Sequence, residues 1–328
     1  MKEGFRQAMA WLHTWAGLTF GWLLFAIFLT GTLAYFKDET SHWMQPEIPA
    51  RSVSSEASLT LAQAYLQQHA PGASRWLIEL PDAREPALSV RWQQAPAKPG
   101  ERGQLTAKLL DPQTGNEVQA RDTQGGEFFY RFHFQLQMPY PWGRWLSTIA
   151  AMVMFVALIS GIITHKKIFK DFFTFRPRKG QRSWLDGHNA VGVLVLPFHL
   201  MITYSSLVIF MSMVMPASIL AAYKGDVQAF FSDVFPAANT AKAAGQPTPL
   251  LPLAPLLEKA REQWSGGEVG RLTVNNPGDA NATVVLARSG ADRVVHDFGS
   301  AVTFNGATGQ LLAATPAQPL PMAIAGSF

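Results

Sequence analysis

The chain has 328 residues, of which 48% are apolar and only 15% charged, and it carries 10 Trp and 22 Phe. That balance argues against a soluble protein and for one that meets a membrane, where Trp collects at the interface. The net charge of +4 is small and gives no case for nucleic-acid binding. The absence of cysteine excludes a disulfide framework, a thiolate zinc site, an iron–sulfur cluster and haem attached through Cys-x-x-Cys-His. Any iron chemistry must therefore use histidine, methionine or oxygen, and the 8 histidines become the residues to follow.

From Ala8 to Phe36 the chain has no Asp, Glu, Lys or Arg, longer than the roughly 20 residues a helix needs to span a bilayer. Lys2 and Arg6 precede the run as in a signal peptide, but the apolar part is too long for a signal core and no small-residue cleavage site follows. The run predicts a membrane anchor. Next comes an outer segment with a short helix over 58–70, strand-like runs over 76–80 and 87–91, and a turn at 111–115. A second uncharged run spans Trp145 to Thr164 and ends at His165. The following loop carries Lys166, Lys167, Lys170, Arg176, Arg178, Lys179 and Arg182 against one Asp171, so the positive-inside rule puts it in the cytoplasm. A third run starts after Asp186 and continues uncharged to Tyr223, with a kink expected at Pro197 and an outer end at Pro216.

The second outer segment repeats the first: a helix over 252–265, strands over 271–274 and 283–286, and a turn at 305–309. The apolar tail Leu320–Phe328 reads as the approach to a fourth span. The predicted organisation is an integral membrane α-helical bundle with two small α+β modules and an internal duplication. Its parts are helix one (1–36), module one (37–143), helix two (144–165), a basic cytoplasmic loop (166–185), helix three (186–215) and module two (216–328). The N-terminus lies in the cytoplasm and the modules lie on the far side.

The repeat extends to the histidines. His13 opens His-Thr-Trp-Ala-Gly and His188 opens His-Asn-Ala-Val-Gly, each at one depth on a helix leaving the cytoplasm. A histidine inside a span is costly and suggests function, although a lone imidazole can simply bond a neighbouring helix. His13, His165, His188 and His199 lie in or at the edges of the spans, and His133 stands at the outer interface. His13 and His188 face each other as a bis-imidazole haem site requires. His188 and His199 share one face of helix three, roughly 16 Å apart along the axis, which suits two haems. Either His133 or His199 could serve the outer one. Ala16, Gly17, Ala190 and Gly192 leave room for a macrocycle, and His165 can equally sit at the lipid headgroups. His42, His69 and His296 read as surface residues. No nucleotide or flavin fingerprint appears, so any electron donor is a separate molecule.

Several stretches resemble the PepSY-associated transmembrane proteins. They are the openings at His13 and His188, Arg131-Phe132-His133 leading into Gly143-Arg144-Trp145, the loop Thr164–Pro177, and Trp184–Asn189 followed by Leu196-Pro197-Phe198-His199. Together they look like the ferric-siderophore reductases of FoxB type. The resemblance implies a bacterial inner-membrane protein with haem b, reducing a ferric hydroxamate siderophore in the periplasm and releasing Fe(II) for iron uptake. Electrons would come from a quinol or a cytoplasmic reductase. It also implies a fourth helix whose histidine would face His133. The rival expectation is a non-enzymatic sensor whose modules bind a protein or peptide. A permease subunit would show more spans and broken helices.

Overall fold

A computed structural model describes residues 3–49, 51–95, 103–165, 167–214, 216–234, 242–264, 267–289 and 300–314. Lys166, His296 and the tail Leu320–Phe328 lie outside the described residues. The first half contains helices α1 (Glu3–Ala34), α2 (Lys37–Met44) and α3 (Ser55–His69), then strands β1 (Arg75–Glu79), β2 (Leu88–Gln93) and β3 (Leu105–Leu110). Helices α4 (Glu127–Gln135), α5 (Trp142–Thr164), α6 (Ile168–Phe172), α7 (Gln181–Ile209), α8 (Met211–Val214), α9 (Ala217–Ala222), α10 (Val227–Val234) and α11 (Pro255–Gln263) follow. Strands β4 (Val269–Asn275), β5 (Thr283–Arg288), β6 (Ala301–Asn305) and β7 (Leu311–Ala314) complete the order. The chain forms two compact units, one of residues up to Lys37 with Gln124–Ala222, the other of Asp38–Thr123 with residues from Tyr223 on.

In the helical unit, α1, α5 and α7 are long and apolar enough to cross a membrane. At 1.5 Å per residue even the 23 residues of α5 cover roughly 35 Å, more than the about 30 Å of a hydrocarbon core. The start of α1 lies beside the end of α5, and Ala16, Ser147, Ala150 and Ser160 are buried. Small residues let apolar helices approach closely where no hydrophobic force drives them together. The opposite face of α1 exposes Trp11, Trp15, Leu18, Trp22 and Phe25 at intervals of three and four residues, Trp22 to 83%. Such a stripe is untenable in water and suited to lipid.

Helix α7 passes through Pro197 without interruption, as membrane helices tolerate. It stops at Ile209, well before Tyr223. One turn earlier Ser205 and Ser206 both donate to Ile202 O, at 3.0 and 2.7 Å. Pro216 then starts a new turn, its carbonyl accepting from Leu220 N at 2.8 Å.

The second unit holds one seven-stranded sheet, in the order β3-β2-β1-β4-β5-β6-β7. Both segments expected to be modules are α+β, and they share this sheet through the antiparallel pair β1–β4, where Leu77 stands opposite Thr273. Alternate residues point to one face, where Ile78, Leu88, Val90, Leu272, Val274, Val284 and Leu286 are fully buried against Leu59 and Leu66 of α3 and Leu257 of α11. Period-two alternation is what a sheet covered on one side requires. The two turns seen in the sequence have one geometry. Asp111 Oδ1 accepts from Gln113 N and Thr114 N, and Gly115 N returns to Asp111 O at 2.8 Å. Asn305 Oδ1 accepts from Ala307 N and Thr308 N, and Gly309 N returns to Asn305 O at 2.8 Å. Both glycines have positive φ, 72° and 69°, which only glycine adopts without cost.

Gln63 of α3 ties the two halves of this unit together. Its Nε2 donates to Leu251 O at 3.0 Å and its Oε1 accepts from Leu253 N at 2.8 Å. Gln63 is buried, so Gln63→Ala strands a carbonyl and an amide away from water. We expect a loss of about 1–3 kcal/mol, read as a lower unfolding midpoint of the purified protein with an unchanged helical signal.

Candidate functional site

The candidate site is built on α1. Near its start, His13 places Nδ1 2.9 Å from Ala157 O of α5, and its ring lies against Gly161. The ring centre of His188, on α7, is 6.1 Å from that of His13, with an angle of 62° between the planes. The two residues singled out by the repeat are thus neighbours. His188 stands two residues beyond Asp186, whose carboxylate receives Nε and Nη2 of Arg176 at 2.8 and 2.6 Å and the Arg176 amide at 3.1 Å. A bidentate guanidinium is the most directional partner a carboxylate has, so the basic loop is clamped to α7 just before the histidine.

Farther along α1, His133 of α4 places Nδ1 2.8 Å from Ile27 O and packs on Gly31. His199 of α7 has its ring centre 4.9 Å from that of Phe28. His133 and His199 therefore meet the same turn of α1. The sequence put one at mid-membrane and the other at the outer interface, so this common level is a new finding. From His13 to Ile27 is fourteen residues (27 − 13), roughly 21 Å of helix.

Among the described residues, the remaining histidines stand apart from these rings. His165 caps α5, with Nε2 3.2 Å from Asp171 Oδ2, an ion-pair distance that is not aligned as a hydrogen bond. His69 stacks on Tyr65 at 4.1 Å. His42 lines a cavity of about 490 Å³ in the sheet-bearing unit, together with Glu39, Trp43, Pro46, Ala83 and Arg84. There the Arg84 guanidinium grips Glu39 with bonds of 2.9 and 3.0 Å, which holds the Glu39 carboxyl below its ordinary pKa. Of the small residues expected to admit a macrocycle, Gly17 and Gly192 face open space.

Among the described residues no group of three or more His, Asp or Glu could enclose a metal ion. Two facing imidazoles suit a metal that brings its other ligands with it, as in a macrocycle. Glycines 31 and 161 and the carbonyls of Ile27 and Ala157 were not singled out from sequence. The signal was available, since each glycine lies four residues after its carbonyl partner, but a carbonyl belongs to every residue and carries no letter.

Taken together, the long apolar helices and the α+β unit define a multi-span membrane protein. The model of the PepSY-associated TM region matches residues 10–318, and the chain belongs to that family. A search of curated proteins gave no match.

Proposed function

We propose that the chain is a bacterial inner-membrane oxidoreductase that holds haem b on paired histidines and passes single electrons outward to a ferric siderophore. The observation that carries this reading is the state of two imidazoles. His13 and His133 each direct Nδ1 at a main-chain carbonyl. A carbonyl can only accept, so Nδ1 carries the hydrogen, and in the neutral ring Nε2 keeps its lone pair. That is the arrangement of a metal-binding histidine with its second nitrogen anchored. The spacing of His13 and His188, with ring centres 6.1 Å apart, would let the two residues hold one haem between them.

A haem b held there supplies a one-electron Fe(III)/Fe(II) couple, tuned by burial and hydrogen bonding. The residues around it fix the ligand tautomers and keep the helices close. The outer position would use His133, with either His199 or a histidine of a further helix opposite. The two positions, roughly 21 Å apart along α1, fit inside a hydrocarbon core of about 30 Å, one toward each surface. With the basic loop in the cytoplasm, both outer segments lie in the periplasm and α1 and α7 are duplicated helices.

One electron converts Fe(III)-siderophore to Fe(II) and free chelator, because hydroxamate oxygens hold Fe(II) far less tightly. A quinol would supply two electrons and release two protons, enough for two turnovers. The cavity beside Trp43 offers an aromatic wall for docking the complex, next to the Arg84–Glu39 ion pair. The test is the haem-to-protein ratio of the purified chain with its reduced spectrum. A b-type spectrum at one or two haems per chain is expected; colourless protein would favour the sensor reading.

A further inference from the structure

The two anchored imidazoles sit on the same short sequence. On α1 it is Phe25-Ala26-Ile27-Phe28-Leu29-Thr30-Gly31, and on α5 Phe155-Val156-Ala157-Leu158-Ile159-Ser160-Gly161. In each, the first carbonyl of an apolar-x-x-Ser/Thr-Gly motif receives the imidazole. Thr30 Oγ1 donates chiefly to Ala26 O at 2.7 Å and also lies 3.1 Å from Ile27 O, while Ser160 Oγ donates to Ala157 O at 3.1 Å. Both hydroxyls belong to buried residues. The residue four positions on is the glycine that the histidine ring covers. A Cβ on Gly31 would lie 2.5 Å from His133 Nδ1, and one on Gly161 3.0 Å from His13 Cε1.

The physical reason for the glycine follows from helix geometry. A helical carbonyl points at the amide four residues ahead, and the side chain at that position shields it from other donors. Glycine removes the shield. The carbonyl can then accept the imidazole N–H in addition to its helical bond, while the hydroxyl three residues on turns back to the same oxygen. We propose that these motifs are imidazole seats: Gly31 and Gly161 are positioning residues that fix His133 and His13 as Nδ1–H tautomers, with Nε2 presented for coordination.

A third copy of the sequence shows what happens when the glycine is missing. The offset that relates His13 to His188 (188 − 13 = 175) also relates Ile27 to Ile202 (202 − 27 = 175). There Thr30 is matched by Ser205 and Gly31 by Ser206, and both hydroxyls donate to Ile202 O, at 3.0 and 2.7 Å. Ser206 thus occupies the place that the imidazole takes on α1.

The coordination half of this proposal rests on the haem reading above; the tautomer half does not. The experiment compares Gly31→Ala and Gly161→Ala with Gly4→Ala and Gly21→Ala, which meet open space on α1 and serve as controls. Solid-state NMR of ¹⁵N-histidine-labelled, haem-free protein in lipid should show protonated Nδ1 at His13 and His133. Each seat variant should lose this signal at its own histidine, and the controls should keep both. In haem-loaded protein, seat variants should bind about 10- to 100-fold more weakly, Gly31→Ala more so, with altered low-spin signals and a shifted reduction potential. If Gly31→Ala fails to accumulate, the wider clearance at Gly161 lets Gly161→Ala carry the comparison. Seat variants indistinguishable from the controls in both tautomer and spectrum would overturn the proposal. A wild-type chain that takes up no haem yet shows the protonated Nδ1 would overturn the reductase reading and leave the seats standing.

Discussion

His13→Ala and His188→Ala should each remove one haem per chain while the protein still inserts and folds. Insertion is expected to survive because neither ring holds the helices together. After His13→Ala, Ala157 O keeps the Ser160 hydroxyl as a donor at 3.1 Å, so no buried carbonyl is stranded. The packing of α1 against α5 also remains. Loss of an iron ligand exceeds the 10- to 100-fold cost of disturbing a ligand's support, so the haem should be absent after purification. Heme content by pyridine haemochrome measures it. Full occupancy in both variants would dismiss the pair, and His165 would be the next residue to replace.

The second large effect is expected at the outer level. His133→Ala should abolish the outer haem and leave the inner one, since the two anchored rings are separated by roughly 21 Å of helix. Ile27 O lies within the continuous helix α1, so the variant should be stable. His199→Ala decides what lies opposite. If it loses the same spectral component as His133→Ala, both ligands come from the turn of α1 around Phe28. If it is silent, the partner of His133 comes from elsewhere. Unchanged spectra in both variants would sink the two-haem account.

Much of this was legible in the sequence for identifiable reasons. Spans are read from the absence of charge, which lipid enforces residue by residue. The nearness of His13 and His188 was legible because each opens a His-x-x-x-Gly stretch shortly after an arginine. The Asp111 and Asn305 turns were legible because their Thr-Gly letters specify local hydrogen bonds and a positive φ. The shared sheet was not: alternation in β1 and β4 says which face is buried, but not that strands almost 200 positions apart lie side by side, as Arg75 and Asn275 do. The common level of His133 and His199 depended on α4 folding back onto α1. Such non-local contacts leave no spacing to count.

The measurement that bears most directly on the central claim follows a single electron across the membrane. Right-side-out vesicles carrying the chain are loaded with a donor that reduces the protein from within, and a ferric hydroxamate siderophore is added outside with a membrane-impermeant ferrous chelator. The account predicts that the reduced b-type spectrum is reoxidised on addition of the siderophore. One Fe(II) should appear in the external chelate for each electron lost, and His13→Ala vesicles should yield none above the protein-free background. A reduced protein that the ferric siderophore leaves unchanged, or Fe(II) appearing only in the lumen, would contradict it.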